Sequence, residues 1–263
     1  MTESEGRVLD KPVRIAIVTY PGMTALDAIG PYEVLRFAPG VEIRFVWHEP
    51  GPITTDSGVL VLGATHSFGE TPAPDILLVP GGPGSVAAAV DDALLAWLRS
   101  AHEGTHWTTS VCTGALVLAA AGLLRGRPAT THWLAQSTLR GLGADARPDE
   151  RIVRDGRIVT AAGVSAGIDL ALWLVGETFG AQQAQTAQLI IEYDPQPPYD
   201  AGHVSKATRA VRLAATAQQA RTVVEPGNLG EFARWSAAVP QLAWRTALRR
   251  VRERGKGFRR RAT

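Results

Sequence analysis

One cysteine in 263 residues, Cys112, excludes an internal disulfide. The six histidines, His48, His66, His102, His106, His132 and His203, show no paired ligand spacing, which argues against a zinc site. Long hydrophobic runs are missing too. No stretch reaches the roughly 20 apolar residues that a membrane helix needs. The N-terminal "MTESEGRVLDKPVR" is polar and carries no apolar signal region. With one thiol and no export signal, a reducing cytoplasm is the expected location. The phosphate-cradling patterns G-x-G-x-x-G and G-x-x-x-x-G-K are absent, and no internal repeat is visible.

What is present is the composition of a globular protein, 45% hydrophobic and 20% charged. The length suits one large domain or two small ones. The net charge of +2 is unevenly spread. Residues 244–263 hold nine Lys/Arg and one Glu, so the rest of the chain holds 18 basic and 24 acidic residues. A mildly acidic body ends in a basic tail.

The body alternates strand-like and helix-like segments. "VRIAIVTY" (13–20) and "DILLVP" (75–80) are short apolar runs of the kind buried on both faces of a sheet. Further strands are predicted over 42–49, 59–64 and 106–111, and a hairpin over 151–161 turning at Asp155-Gly156. Helices are predicted over 24–37 with a break near Gly30-Pro31, and over 91–103, 113–124, 165–180 and 181–193. This alternation implies βαβ units and a mostly parallel sheet with helices on both faces. Ligands then bind beyond the carboxyl ends of the strands. Three loops follow such ends: "YPGMTALD", "PGGPGS" and "VCTGA".

Cys112 lies between a strand and a helix. Such a turn lifts a side chain clear of the sheet, and a helix N-terminus favours a thiolate. The competing reading is a small buried hydrophobe, and on the local pattern both stand. Asp27 fits a capping box with Thr24, which needs no chemistry, or is a carboxyl aimed at the thiol. Gly81 and Gly82 are either ordinary loop punctuation or a cradle of backbone N–H groups. His132 either starts a helix or orients the site.

Taken together, "YPGMTALDAIGPYEVL", "VPGGPG", "SVCTGALVLAAAGLL", "RPATTHW", "VRDGRIVTAAGVSAGIDLAL" and "IEYDPQPPYDAG" resemble, in order and spacing, the isonitrile hydratases of the PfpI superfamily. The resemblance covers about residues 13–207, between a polar segment (1–12) and a helical, basic C-terminal extension (208–263). It implies a flavodoxin-like three-layer α/β sandwich, a homodimer and no cofactor. It implies Cys112 as nucleophile with Asp27 and Thr113 beside it. Gly81, Gly82, Gly163 and Ile168 are then the ligand-binding positions, with His132 behind them; Ile168, Val164 and Trp133 read as apolar walls for the substrate or equally as core packing. The implied reaction is cysteine-dependent hydration of an isonitrile to an N-substituted formamide through a thioimidate.

Three departures shape the expectation. PfpI-type proteases place a histidine after the cysteine, where this chain has Thr113. Related transcription regulators carry a two-helix-turn-helix domain of about 100 residues, and only about 55 follow the matched region. After "DAG" a small or polar residue is expected in members of the resembled family, and this chain has His203. The alternatives are glyoxalase-like chemistry on another small electrophile, or a ligand- or redox-sensing module. In the extension, Pro240 is expected to divide two short helices that dock through Trp235 and Trp244. The competing reading is salt-dependent contact of the basic tail with nucleic acid or an anionic surface.

Overall fold

A computed structural model describes residues 11–224, 233 and 236–247. The chain order is β1 (Val13–Val18), α1 (Ala25–Leu35), β2 (Val41–Trp47), β3 (Gly51–Thr54), β4 (Val61–Ala64), β5 (His66–Ser67) and β6 (Ile76–Val79). There follow α2 (Ser85–Ala88), α3 (Asp92–Gly104), β7 (Trp107–Val111), α4 (Gly114–Ala120), β8 (Pro128–Ala129), α5 (Gln136–Gly141) and β9 (Asp145–Ala146). The rest is β10 (Ile152–Asp155), β11 (Ile158–Ala161), α6 (Ala166–Phe179), α7 (Ala181–Ile190) and α8 (Arg209–Val224).

Seven strands form one sheet in the order β10-β11-β7-β6-β1-β2-β5. All neighbours are parallel except β10 against β11. The apolar runs explain the centre. Every residue of β6 and β11 is buried, and five of the six in β1. Such strands are stable only when helices cover both faces. Helices α1, α6 and α7 pack together on one side, and α2, α3 and α5 gather around α4 on the other. The result is a three-layer α/β sandwich. The chain leaves β1 toward β2 and later returns to β6 on the other side of β1. Loops therefore diverge above β1 and β6, which is where open α/β sheets bind ligands.

Several boundaries differ from the sequence reading. Helix α1 runs unbroken through Pro31. The proline ring faces α6, where a Cβ on Gly167 would stand 3.2 Å from its Cγ. Packing of this kind offsets the hydrogen bond that proline cannot make. The 59–64 segment does not join the main sheet. Its β4 pairs antiparallel with β3, which the sequence reading missed, in a separate ribbon. The 151–161 hairpin turns one residue later than expected. Asp155 pairs with Ile158, so Gly156 (φ +59°) and Arg157 form the loop.

In the extension, 236–247 is helical through Pro240 rather than divided there. It docks through Ala238 and Leu242, 3% and 8% exposed, whereas Trp244 is 65% exposed. Positions four apart share a helix face and a residue two further on does not, so Trp244 points away. Arg245 adds a two-pronged pair to Asp92 at 3.0 and 3.1 Å. Trp235 and the cationic residues 248–263 lie outside the described residues.

Candidate functional site

The turn after β7 holds Cys112 at φ +55°, a left-handed conformation that non-glycine residues rarely adopt. Strain of this kind costs about 1–3 kcal/mol and persists only where neighbours enforce it. Here the Cys112 N–H donates to the carbonyls of Ala161 (3.1 Å) and Ala162 (3.0 Å). Its carbonyl accepts from the Thr131 hydroxyl at 2.8 Å. Close approach of the next turn depends on Gly114, where a Cβ would lie 2.1 Å from the Val79 carbonyl oxygen. The side chain thus stands at the carboxyl edge of the sheet, 5% exposed.

Asp27 faces it from α1. The capping-box reading does not hold. Thr24 makes no side-chain cap, and its hydroxyl instead donates to Asp56 Oδ2 at 2.6 Å. The Asp27 carboxyl turns inward and is fully buried. Its Oδ2 accepts the Gly81 N–H at 2.8 Å, its Oδ1 has no hydrogen-bond partner among the described residues, and the Cys112 thiol lies beside the carboxyl. Burial is the main reason that its pKa rises to about 7, against the opposing bond from Gly81. Burial and then the negative charge of Asp27 push the Cys112 thiol well above its usual range, with the Thr113 N–H pulling the other way. The two groups are coupled, and around neutral pH the pair holds a shared proton.

The glycine loop after β6 serves this pair internally. Gly81 uses its N–H on Asp27, and Gly82 donates to Thr113 Oγ1 at 2.8 Å. The Thr113 hydroxyl returns a bond to the Gly82 carbonyl at 3.1 Å. Both amides expected to cradle a ligand are therefore engaged within the protein. Gly81 also permits close approach, because a Cβ there would meet Thr113 N at 2.4 Å and Cys112 Cβ at 2.8 Å.

Gly163 and His132 close the other side. A Cβ on Gly163 would fall 3.2 Å from Cys112 Sγ and 2.3 Å from His132 Cδ2, so thiol and imidazole meet at this glycine. Burial lowers the His132 pKa, which leaves the ring neutral at pH 7. A cleft of about 1120 Å³ opens outward from here, lined near the pair by Leu26, His132, Trp133, Gly163 and Val164. Farther out, Asp169 accepts from Tyr193 Oη at 2.9 Å and pairs with Arg151. His203 also lines the cleft and bonds Ser205 at 2.7 Å. Ile168 is not brought to the cleft. It packs into α1, where a Cβ on Gly30 would stand 3.1 Å from its Cγ1.

Three residues at the site escaped the sequence reading. Thr131, which holds the Cys112 carbonyl, precedes His132 in "ATTHW", and that adjacency was its only signal. Tyr20 ends the first strand segment, donates to the Pro80 carbonyl at 2.7 Å, and faces both Asp27 and Cys112. Asp56 comes from the β3–β4 ribbon, and nothing in its sequence neighbourhood points here. Among the described residues, no cluster of three or more His, Cys, Asp or Glu is placed to hold a metal.

Fold and site together define a class: a parallel α/β sandwich with an elbow cysteine and a buried carboxyl above its carboxyl edge. The chain belongs to the DJ-1/PfpI family, whose match covers residues 13–177. It is 43% identical over 199 residues to the isonitrile hydratase of Pseudomonas putida, spanning 76% of this chain and 86% of that protein. It is 30% identical to the HTH-type transcriptional regulator CdhR of Pseudomonas aeruginosa over 72% of this chain, but spans only 58% of that protein. Among solved structures, a THiJ/PfpI family protein from Pseudomonas syringae superposes with a TM-score of 0.75 at 37% identity. That superposition covers 86% of this chain and 90% of the other.

Proposed function

We propose that this chain is an enzyme that hydrates isonitriles, R–N≡C, to N-substituted formamides, with Cys112 as nucleophile and Asp27 as proton carrier. The observation that carries the reading is the Asp27 carboxyl. It is buried, fixed through Oδ2, open at Oδ1 and raised by burial to a pKa of about 7, beside the chain's single thiol. The 43% identity to an isonitrile hydratase supports the choice of substrate.

In this mechanism the Cys112 sulfur forms a bond to the terminal isonitrile carbon, and its proton passes through Asp27 to that same carbon. The product of this step is a thioimidate, R–N=CH–S–Cys112. Water entering by the cleft adds across C=N, its hydroxyl to carbon and its proton to nitrogen. The tetrahedral adduct then breaks its C–S bond, and the hydroxyl proton returns through Asp27 to sulfur. One water has been consumed, R–NH–CHO leaves, and thiol and carboxyl are restored. Thr113 holds the sulfur through its N–H and is itself fixed to Gly82. Neutral His132 lines the approach.

The test is mass-spectrometric. Wild type and Cys112→Ala are given alkyl and aryl isonitriles, and the product one water heavier is followed. Turnover by wild type that disappears in the variant is expected. More than a trace of turnover by Cys112→Ala removes the nucleophile assignment.

The same reading includes a homodimer. Leu189 and Ile190 of α7, Tyr199, and Val211 and Leu213 of α8 are exposed on the single chain, and a second copy would cover them. Sedimentation that returns the 28.0 kDa monomer at micromolar concentration would remove this part.

A further inference from the structure

We propose that Asp56 is a positioning residue of this site: clamped through Thr24, its carboxylate keeps the shared proton on the Asp27–Cys112 pair. The inference rests on the assignment of that pair as the reacting groups.

The geometry is a closed set of hydrogen bonds. Asp56 Oδ2 accepts the Thr24 hydroxyl at 2.6 Å. The Thr24 N–H donates to the Gly81 carbonyl at 2.8 Å, and the Gly81 N–H donates to Asp27 Oδ2 at 2.8 Å. The Asp27 N–H returns to the Thr24 carbonyl at 3.1 Å. Asp56 is also held by its backbone, whose N–H donates to the Met23 carbonyl at 2.9 Å. The Gly22 N–H reaches the Thr54 carbonyl at 3.0 Å, so the β3–β4 ribbon is fastened to the loop that leads into α1 and Asp27. A separate ribbon therefore delivers a second, half-buried carboxylate next to the first.

The titratable groups around the pair are Tyr20 just beyond β1 and His132 across Gly163. The charge on Asp56 bears directly on Asp27 and Tyr20, and it reaches Cys112 through Asp27, whose charge raises the thiol. Burial is the largest influence raising Asp27, and Asp56 adds in the same direction. The same charge raises Tyr20, after burial, Asp27 and Cys112. Burial raises Asp56 itself, while bonds from the Thr24 hydroxyl and the Ser57 backbone oppose that rise and favour its charged form. A negative neighbour disfavours a second negative charge, so the pair's proton is retained to higher pH.

Cys112 is the only thiol in the chain, so its alkylation by iodoacetamide against pH reports the pair without any isonitrile. Asp56→Asn retains an oxygen for the Thr24 hydroxyl and removes the charge. Its alkylation midpoint is expected to fall by about half a pH unit or more. Asp56→Glu restores the charge and brings the midpoint back toward wild type. Thr24→Val leaves the carboxylate charged but removes the 2.6 Å bond that clamps it beside the pair, and its midpoint is expected to fall between those of wild type and Asp56→Asn. In the hydration assay, the loss of rate at high pH moves down by the same interval. A folded Asp56→Asn with an unchanged midpoint overturns the proposal, and if that variant does not fold, Thr24→Val decides it. A shifted midpoint in a protein that hydrates no isonitrile leaves Asp56 in its role and removes the hydration reading instead.

Discussion

Replacing Asp27 by asparagine should stabilise the protein, and only on the alkaline side. In the unfolded chain this carboxyl loses its proton near 3.8, and in the folded chain at about 7. Below 3.8 both states keep the proton. Between the two values the unfolded state releases it and the folded state does not. The carboxyl's contribution to stability is thus fully present in acid, is lost as pH rises to about 7, and is level beyond. The interval spans about three pH units, each worth about 1.4 kcal/mol, so the loss is about 4 kcal/mol. Asparagine keeps an oxygen for the Gly81 N–H and has no proton to give up. The variant should match wild type near pH 4 and exceed it by up to about 4 kcal/mol at pH 8. For a domain of this size each kcal/mol moves the melting temperature by about 2–4 °C, so a rise of about 10 °C is expected. The assay is thermal melting of both proteins from pH 4.5 to 8.5. The same substitution should abolish formamide production. Two stability curves that run parallel across the whole range would refute the buried, proton-holding Asp27.

Thr131→Val keeps the shape but leaves the buried Cys112 carbonyl without its 2.8 Å donor. A loss of about 1–3 kcal/mol in denaturant unfolding is expected, and an unchanged midpoint would show that the elbow needs no such clamp. Gly81→Ala puts a methyl 2.4 Å from Thr113 N. It should cost about 1–3 kcal/mol and slow Cys112 alkylation, and wild-type values for both would deny the close approach. Leu242→Ala should lower stability by about 2 kcal/mol without moving the Cys112 alkylation midpoint, because this contact is remote from the pair. A shifted midpoint would tie the C-terminal helix to the site. Arg245→Ala, in an exposed pair, should cost less than about 1 kcal/mol, and a larger drop on melting would give the Asp92 contact a weight that its exposure does not suggest.

The central layer was readable because its strands are continuous apolar runs bounded by turn residues, and a run such as "DILLVP" has few other uses. The elbow was readable as a place, since strand, Cys112 and helix are adjacent in the chain. Its detail was not. The capping-box pattern at Thr24 and Asp27 is genuine local code, yet both side chains are drawn off by partners distant in sequence, Asp56 and Gly81. Gly81 and Gly82 read as free donors because a sequence does not say which N–H groups are already taken. Pro31 read as a break because local rules weigh the missing hydrogen bond and not the packing of its ring against α6.

The sequence by itself determined the α/β alternation, the parallel sheet, the set of loops at its carboxyl edge and the one thiol available for chemistry. These follow from the order of apolar runs, turn residues and residue types along the chain. Only the tertiary structure decided which groups meet. Asp27 comes from the first turn of α1, Gly81 and Cys112 from the ends of two different strands, and Asp56 from a ribbon outside the main sheet. Their proton affinities depend on burial and on neighbouring charge. Both are properties of contacts across the fold, and no local pattern encodes them.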